Sequence, residues 1–312
     1  MTALADPPTA APSIHRTSVL GGAAGALAMV FVGASVAVSS TLAGAPVYTA
    51  QALRYALACL LLIGGACRLG RPVMRPRGRE WLWLSAVAVT GMVVFNIALV
   101  DGSRHAEPAV LAVGVACVPL LFAVVGPLQQ RRRPRLPVIV AAVLVTAGAI
   151  LVDGTGRSDA IGIGWAVVVF VCEAGFTLLA VPVLGRLGAW GVSVHTTWLA
   201  AVAFAVLAML REGPAATARL DFDQILAVVY LAIAVTAMAF VLWYTSVSRL
   251  GAGRAGLFTG IAPASAAVTG TLLGSRLPHL PVWLGIATVA AGLMLGLRPS
   301  RTTPGAEDRS WS

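Results

Sequence analysis

The sequence has no lysine, one asparagine (Asn96), four cysteines, and charge on only 11% of its 312 residues. Soluble domains carry about 25% charged residues, so too little polar surface is available here to cover a water-facing globule. This excludes a soluble enzyme, a disordered chain and a small disulfide-stapled fold. Cys59, Cys67, Cys117 and Cys172 lie inside apolar runs without CxxC spacing. They read as small core hydrophobes, not as a metal site or a disulfide frame. HExxH, GxSxG and Walker A patterns are absent, and no loop is long enough for a nucleotide-hydrolysing domain. The stretch from Gly251 to Gly256 spells GxGxxG, but it follows an apolar helix and lacks an acid about 20 residues on, so dinucleotide binding is rejected. No cofactor, no metal and no catalytic residue is expected.

What is present is apolar: 58% of the residues, with a mean hydropathy of +0.88. About 20 apolar residues cross a bilayer core as a helix. Ten such runs are legible, at 19–41, 47–67, 81–100, 109–129, 136–152, 161–183, 192–210, 225–247, 255–273 and 280–297. The fold class expected is an all-α integral membrane protein with ten transmembrane helices.

Numbering the connections alternately separates the arginines. Arg16, Arg68, Arg71, Arg75, Arg77, Arg79, Arg131, Arg132, Arg133, Arg135, Arg186, Arg249, Arg254, Arg298, Arg301 and Arg309 fall on one side. Arg104, Arg157, Arg211, Arg219 and Arg276 fall on the other, with the acids Asp101, Glu107, Asp153, Asp159, Glu212, Asp221 and Asp223. The positive-inside rule then puts both termini in the cytoplasm. The formal charge of +10 is thus a topology signal, and the cluster Arg131–Arg133 is an orientation anchor instead of a nucleic-acid patch.

The chain also repeats itself. Residues 119–151 match 263–295 without gaps at 14 of 33 positions, including Pro119/Pro263, Gly126/Gly270, Arg132/Arg276 and Gly148/Gly292. A second block, 86–92 against 232–238, matches at five of seven. Equivalent positions lie five helices apart, an odd number, so the second copy is expected upside down. Inverted repeats of this kind are a signature of secondary transporters. The expected units are a tail at 1–18, a five-helix repeat at 19–153, a second at 161–298 and a tail at 299–312.

Four further pieces stand out: Pro46 to Arg54, the passage Leu242-Trp243-Tyr244 to Ala255, Pro263, and the short glycine-containing last run. With these the chain resembles, over about residues 20–298, the EamA-type transporters of the drug/metabolite transporter superfamily. The family usually has Gly-Glu after the ninth helix; here the residues are Gly274-Ser275-Arg276, so the resemblance supplies no coupling acid there. It implies two five-helix repeats and transport, often export, of amino acids, other metabolites, sugar derivatives or drugs. The expectation is a secondary-active exporter of a small metabolite or drug-like molecule by alternating access, proton-coupled through Glu173. Uptake of a small solute is the alternative within transport. A non-transporting scaffold or a lipid-modifying enzyme is the alternative outside it. Partners would be a small-molecule substrate, membrane lipid and protons, with no nucleic acid, in a monomer or homodimer of the cell membrane.

Two charges fall inside the runs. Glu173 is at position 13 of the 23 residues of the sixth run, where a carboxylate costs roughly 2.5–3.5 kcal/mol on insertion scales. The small multidrug proteins of the superfamily likewise carry one embedded Glu in their first helix; the counterpart of Glu173 in the first repeat is Ala34. Arg54 lies about 10 Å into the second run, where it could snorkel, bind an anionic group or pair with Glu173. Pro119 and Pro263 are equivalent interruptions, pointers to a site and its gates. Gln51 and His195 are equivalent polar residues near run starts. Asn96 and Tyr244 are polar groups in the third and eighth runs, with interhelical bonding as their ordinary role. Trp81, Trp83, Trp165, Trp190 and Trp283 read as interface anchors; Trp198 and Trp243 lie deeper and could wall a cavity. The pairs Gly21/Gly25, Gly256/Gly260 and Gly270/Gly274 have the spacing of close helix contacts.

Overall fold

The computed structural model describes residues 14–42, 44–154, 156–272 and 279–298. Gly274, Ser275, Arg276 and Leu277 lie outside the described residues, as do most of the two tails, with Asp6, Arg301, Glu307, Asp308 and Arg309. Among the described residues the regular structure is entirely helical, with one isolated bridge between Ala106 and Ser158.

The helices are α1 (Ile14–Ser39), α2 (Val47–Arg68), α3 (Glu80–Gly102), α4 (Pro108–Gln129), α5 (Leu136–Asp153), α6 (Ala160–Leu178), α7 (Val181–Arg211), α8 (Phe222–Leu250), α9 (Ala252–Leu272) and α10 (Leu280–Gly296). Among the described residues, α1 to α9 are long and apolar enough to cross a membrane, and α10, at 17 residues, is a shorter apolar helix. Large apolar side chains such as Leu60, Val171 and Met209 stand exposed on the outer faces, where lipid is the matching solvent.

One boundary differs from the apolar pattern. The sixth run should extend to 183 and the seventh begin at 192, leaving a loop between them. Instead α6 ends at Leu178 and α7 begins at Val181, so the presumed loop is helical apart from Gly188 (φ 67°, ψ 173°). Pro182 has no N–H to offer the Leu178 carbonyl, which stops α6. Gly188 provides the left-handed φ that bends α7. Neither event lowers the apolarity of the stretch, so hydropathy alone passes over both.

Four further helices are irregular inside. α3 widens into a π turn at Val89–Val94 and α8 at Leu231–Met238, overlapping the matched blocks 86–92 and 232–238. α4 breaks at Cys117, just before Pro119. α9 tightens to a 3-10 segment at Gly256–Gly260 ahead of Pro263. Each proline lacks the N–H that would bond the carbonyl four residues earlier, that of Val115 or Thr259, and the irregular turn absorbs the defect.

The packing has a regularity of its own. α1 lies against α8 and α9; α6 lies against α3 and α4; α2 lies against α7; α5 lies against α10. Moving every helix five places on converts the first statement into the second and leaves the last two unchanged. The α5–α10 seam shows the same exchange at single residues. A Cβ on Gly148 would stand 2.7 Å from the Gly285 carbonyl oxygen, and one on Gly292 would stand 2.9 Å from that of Ala141. A shift of 144 carries Gly148 to Gly292 and Ala141 to Gly285. Glycine at these places lets the backbones meet, which van der Waals packing in a bilayer requires. The largest buried cluster, including Tyr55, Phe122, Phe204, Trp243, Tyr244 and Phe258, fills the centre between the two sets.

Candidate functional site

The polar residues singled out in α2 and α3 form one cluster. Arg54 donates from Nε to the hydroxyl of Thr236 at 2.8 Å and from Nη1 to Gln51 Oε1 at 3.4 Å. Gln51 donates to Asn96 Oδ1 at 2.8 Å, and Asn96 donates to the Tyr55 hydroxyl at 3.2 Å and to the Met92 carbonyl at 2.7 Å. The guanidinium carbon lies 5.3 Å from the Tyr55 ring centre, and Tyr55 stacks on Phe204 of α7 with centroids 5.6 Å apart. The cluster depends on both irregular third helices. Met92 belongs to the π turn of α3, and Thr236 to the π turn of α8. A π turn leaves carbonyls and side chains out of the regular register, where neighbours can reach them.

Asn96 and Phe204 also line a cavity of about 190 Å³, together with Tyr48, Ile97, Asp101 and Glu212. Its rim is closed by Glu212, immediately after α7. This carboxylate accepts the backbone N–H groups of Tyr48 and Thr49 at 2.9 and 2.8 Å and the Thr49 hydroxyl at 2.6 Å. The first N–H groups of a helix have no intrahelical partner, and Pro46 supplies no side-chain cap. An anion at that positive end is therefore well placed. Sequence reading counted Glu212 only as a loop charge, because its role depends on a residue more than 160 positions away.

A second cavity, of about 530 Å³, opens beside the loop 69–79 and is lined by Met74, Arg75, Arg77, Trp81 and Arg186 among others. Arg186 of α7 makes a two-pronged ion pair with Glu80 at the start of α3, and Glu80 also accepts the Arg77 N–H at 2.7 Å. His195 belongs to this side. It sits seven residues after the break of α7 at Gly188, near the start of that helical segment, as its place in the run suggested. Its Nε2 donates to the Met74 carbonyl at 3.0 Å, and its Nδ1 accepts from Trp198 Nε1 at 3.3 Å. That pattern requires the neutral tautomer with the proton on Nε2. Trp81 meets both rings edge-on, at 5.8 Å from His195 and 5.9 Å from Trp198.

Glu173 stands apart from both groups. It is half-buried in α6, and no hydrogen bond or ion pair joins it to a described residue. The pairing with Arg54 that the sequence left open does not form. One turn further along α6, Trp243 Nε1 donates to the Thr177 hydroxyl at 2.8 Å, and the Tyr244 hydroxyl donates to the Phe176 carbonyl at 3.1 Å. These two residues tie α8 to the end of α6, and neither lines either cavity. Pro119 and Pro263 sit at the irregular turns of α4 and α9 and make no contact with the polar cluster among the bonds described. Among the described residues, no group of three His, Cys, Asp or Glu could hold a metal ion.

With this geometry in hand, the comparisons with known proteins are decisive about the family. The model of the "EamA-like transporter family" matches residues 19–153 and 160–298. The chain belongs to the EamA-like transporter family. It is a multi-pass membrane transporter, and its family and relatives mark it as a transporter rather than an enzyme. It is 24% identical over 301 residues to a protein of Bacillus subtilis (strain 168) described as an uncharacterized transporter, YetK, spanning 91% of this chain and 90% of that one. It is 25% identical over 260 residues, 81% of this chain and 86% of the other, to a probable terminal-alkyne amino-acid exporter of Streptantibioticus cattleyicolor. A solved crystal structure superposes with a TM-score of 0.76 at 17% identity, over 90% of this chain and 97% of its own; this likeness concerns the fold. An EamA-like transporter handles a small molecule across a membrane.

Proposed function

We propose that this EamA-like transporter is a secondary-active exporter of a small metabolite or drug-like molecule, working by alternating access between two inverted five-helix repeats, 19–153 and 161–298. The observation that carries this reading is the packing exchange. The pairs α1–α8/α9 and α6–α3/α4 are related by a shift of five helices, while α2–α7 and α5–α10 map onto themselves. Ten spans with both termini cytoplasmic follow from the arginine distribution, and the cell membrane is the setting. Rocking of one repeat against the other would open the 190 Å³ and 530 Å³ cavities in turn, with the breaks at Pro119 and Pro263 as hinges. Export draws support from the relative named as an exporter.

Gln51, Arg54 and Asn96 are assigned to the substrate pathway, His195 to the vestibule of the opposite face, and Trp243 and Tyr244 to the support of α6. Glu173 is assigned to proton coupling. A carboxylate inside a span without a cationic partner can gain and lose a proton at modest cost, which a salt-bridged one cannot. The test is flux in proteoliposomes under an imposed pH gradient, with a broad solute panel. The gradient should accelerate flux in the wild type, and Glu173→Gln should lower it at least tenfold, to the rate without a gradient. Full gradient-driven flux in Glu173→Gln removes the coupling role, and no flux of any solute across the panel removes the transport reading.

A further inference from the structure

Among the described residues no anion neutralises the charge of Arg54. The spans that meet α2 are α7, α8 and, through Asn96, α3; α7 and α8 have no acid inside their apolar stretches, and Asp101 near the end of α3 faces Arg104 at 3.6 Å. Glu173, the acid placed within a span, is not its partner, and Arg54 forms no ion pair among the described residues. Its compensation is a hydroxyl, an amide oxygen and a ring face. An arginine removed from water without an anion is costly, and retention of such a group marks a function.

The guanidinium is also poised. Of its five N–H groups, Nε is fixed at 2.8 Å by Thr236, which sets the plane of the fork. The bond from Nη1 to Gln51 is long, 3.4 Å, and such a bond is weak enough to be displaced. Nη2 has no hydrogen-bond partner among the described residues. The fully buried side-chain atoms left without a partner are Ser193 Oγ and Ser246 Oγ, so the Nη2 edge keeps some open space beside it. Gln51, which covers Nη1, is bonded to Asn96 on the wall of the 190 Å³ cavity, which Asp101, Arg104 and Glu212 also line.

We propose that Arg54 is the recognition point for a small oxyanion on the transported molecule, held two-pronged on the Nη1/Nη2 edge, with the rest of the molecule extending into the 190 Å³ cavity. A planar fork matches a carboxylate or phosphate in this way. This rests on the transport reading and sharpens it, since a cationic drug would be repelled from the same place. Gln51 closes the site when it is empty, and Thr236 is a positioning residue that orients the fork.

The test is thermal unfolding of the full chain in detergent with 4-phenylbutyrate, its carboxamide, 4-phenylbutylamine, acetate and inorganic phosphate. The carboxylate should raise the midpoint and half-saturate at a concentration at least tenfold below the carboxamide, with the amine giving no shift. Phosphate acting in place of the carboxylate supports the site and reassigns the oxyanion. Arg54→Gln should erase the difference between acid and amide, and Arg54→Lys should keep part of it. Thr236→Val should reduce it several-fold, and it serves with Arg54→Lys if Arg54→Gln does not fold. Equal shifts with acid and amide, a preference surviving in Arg54→Gln, or no Arg54-dependent shift with any probe overturns the proposal. Loss of flux with the preference intact sinks the transport reading alone. Gradient-driven flux that Arg54→Gln leaves unchanged sinks this inference alone.

Discussion

α2 and α7 occupy equivalent places, lie against each other, and solve the same local problem with different chemistry. In α2, Arg54 donates to Gln51 three residues back; in α7, Trp198 donates to His195 three residues back. The shift of 144 residues carries Gln51 to His195 and Arg54 to Trp198. The repeat has thus kept a side-chain bond between neighbouring turns while exchanging a charged pair for an aromatic one. The first pair reaches α8 and Asn96 beside the smaller cavity. The second meets Trp81 and the Met74 carbonyl beside the larger one. Geometry is what the two halves share, and the chemical load at matched positions is where they have parted. A substrate site is best sought at the parted positions.

The sharpest break in that comparison is at Phe204 and its counterpart Leu60. Phe204 is 0% exposed and stacked on Tyr55, whereas Leu60 is 68% exposed on the outer face. Phe204→Ala should cost about 3–5 kcal/mol, as for a buried aromatic left over a cavity. Leu60→Ala, which exchanges one lipid contact for another, should stay within about 0.5 kcal/mol. Equilibrium unfolding in mixed micelles measures both. Equal losses would show that the matched positions are not differently loaded.

The next effect comes from making α7 carry the charge of α2. Trp198→Arg places a guanidinium where Trp81 and His195 offer ring edges, and Thr90, the counterpart of Thr236, already donates its hydroxyl to the Ala86 carbonyl at 2.7 Å. A charge near mid-span costs roughly 2.5–3.5 kcal/mol on insertion scales, and the same method should find a loss of that size. A neutral outcome would mean that an arginine at this depth needs no built surroundings, and the case for Arg54 as a recognition residue would weaken accordingly.

These residues show what was legible in the sequence and what was not. Arg54 and Glu173 stand out as lone charges in apolar runs, and Gln51 and His195 as a matched pair, because charge and spacing are properties of the string. Tyr55, Thr236 and Phe204 have ordinary types for a membrane helix. They matter through contacts across helices more than 100 residues apart, which no local pattern encodes. The π turns of α3 and α8 are hidden for a similar reason: the blocks 86–92 and 232–238 betray the repeat, but their apolarity is the same whether the turn is regular or wide. The start of α7 was obscured by apolar residues that run through the turn at Leu179 and Ala180. Arginine placement, by contrast, made the alternation of the connections readable without any contact.

The seam of α5 and α10 tests the shared geometry instead of the divergent chemistry. Gly148→Val and Gly292→Val each press a side chain onto a backbone carbonyl of the facing helix. Each should cost about 1–3 kcal/mol, the usual range for overpacking. Because the two sites exchange under the repeat, the losses should agree within about 0.5 kcal/mol, near the error of additive comparisons. A large effect at one glycine and none at the other would argue against the two-fold relation.

The smallest effect is expected where the two halves are joined by exposed charge. Glu107 pairs with Arg157 at 2.9 Å, and Asp159 meets His105 Nδ1 at 2.9 Å while accepting the Gly162 N–H at 2.7 Å. The Arg157 side chain holds the Glu107 carboxyl below its ordinary 4.5. The Gly162 N–H, followed by His105, holds Asp159 below its ordinary 3.8. Carboxyls lowered in the folded state bind fewer protons than in the unfolded one, so their contribution is complete above the ordinary values and fades as the pH falls through the lowered ones. Amide hydrogen exchange at 105–107 and 157–162 should therefore be unchanged from pH 7 to about pH 5 and accelerate below about pH 4, once corrected for intrinsic rates. Glu107→Gln should bring the Arg157 part of that protection to its acid level at neutral pH while leaving exchange at Asn96 and Met92 untouched. Acceleration that spread into α3 would mean that the clasp supports the polar cluster itself, and that the two halves are less independent than their divergent chemistry implies.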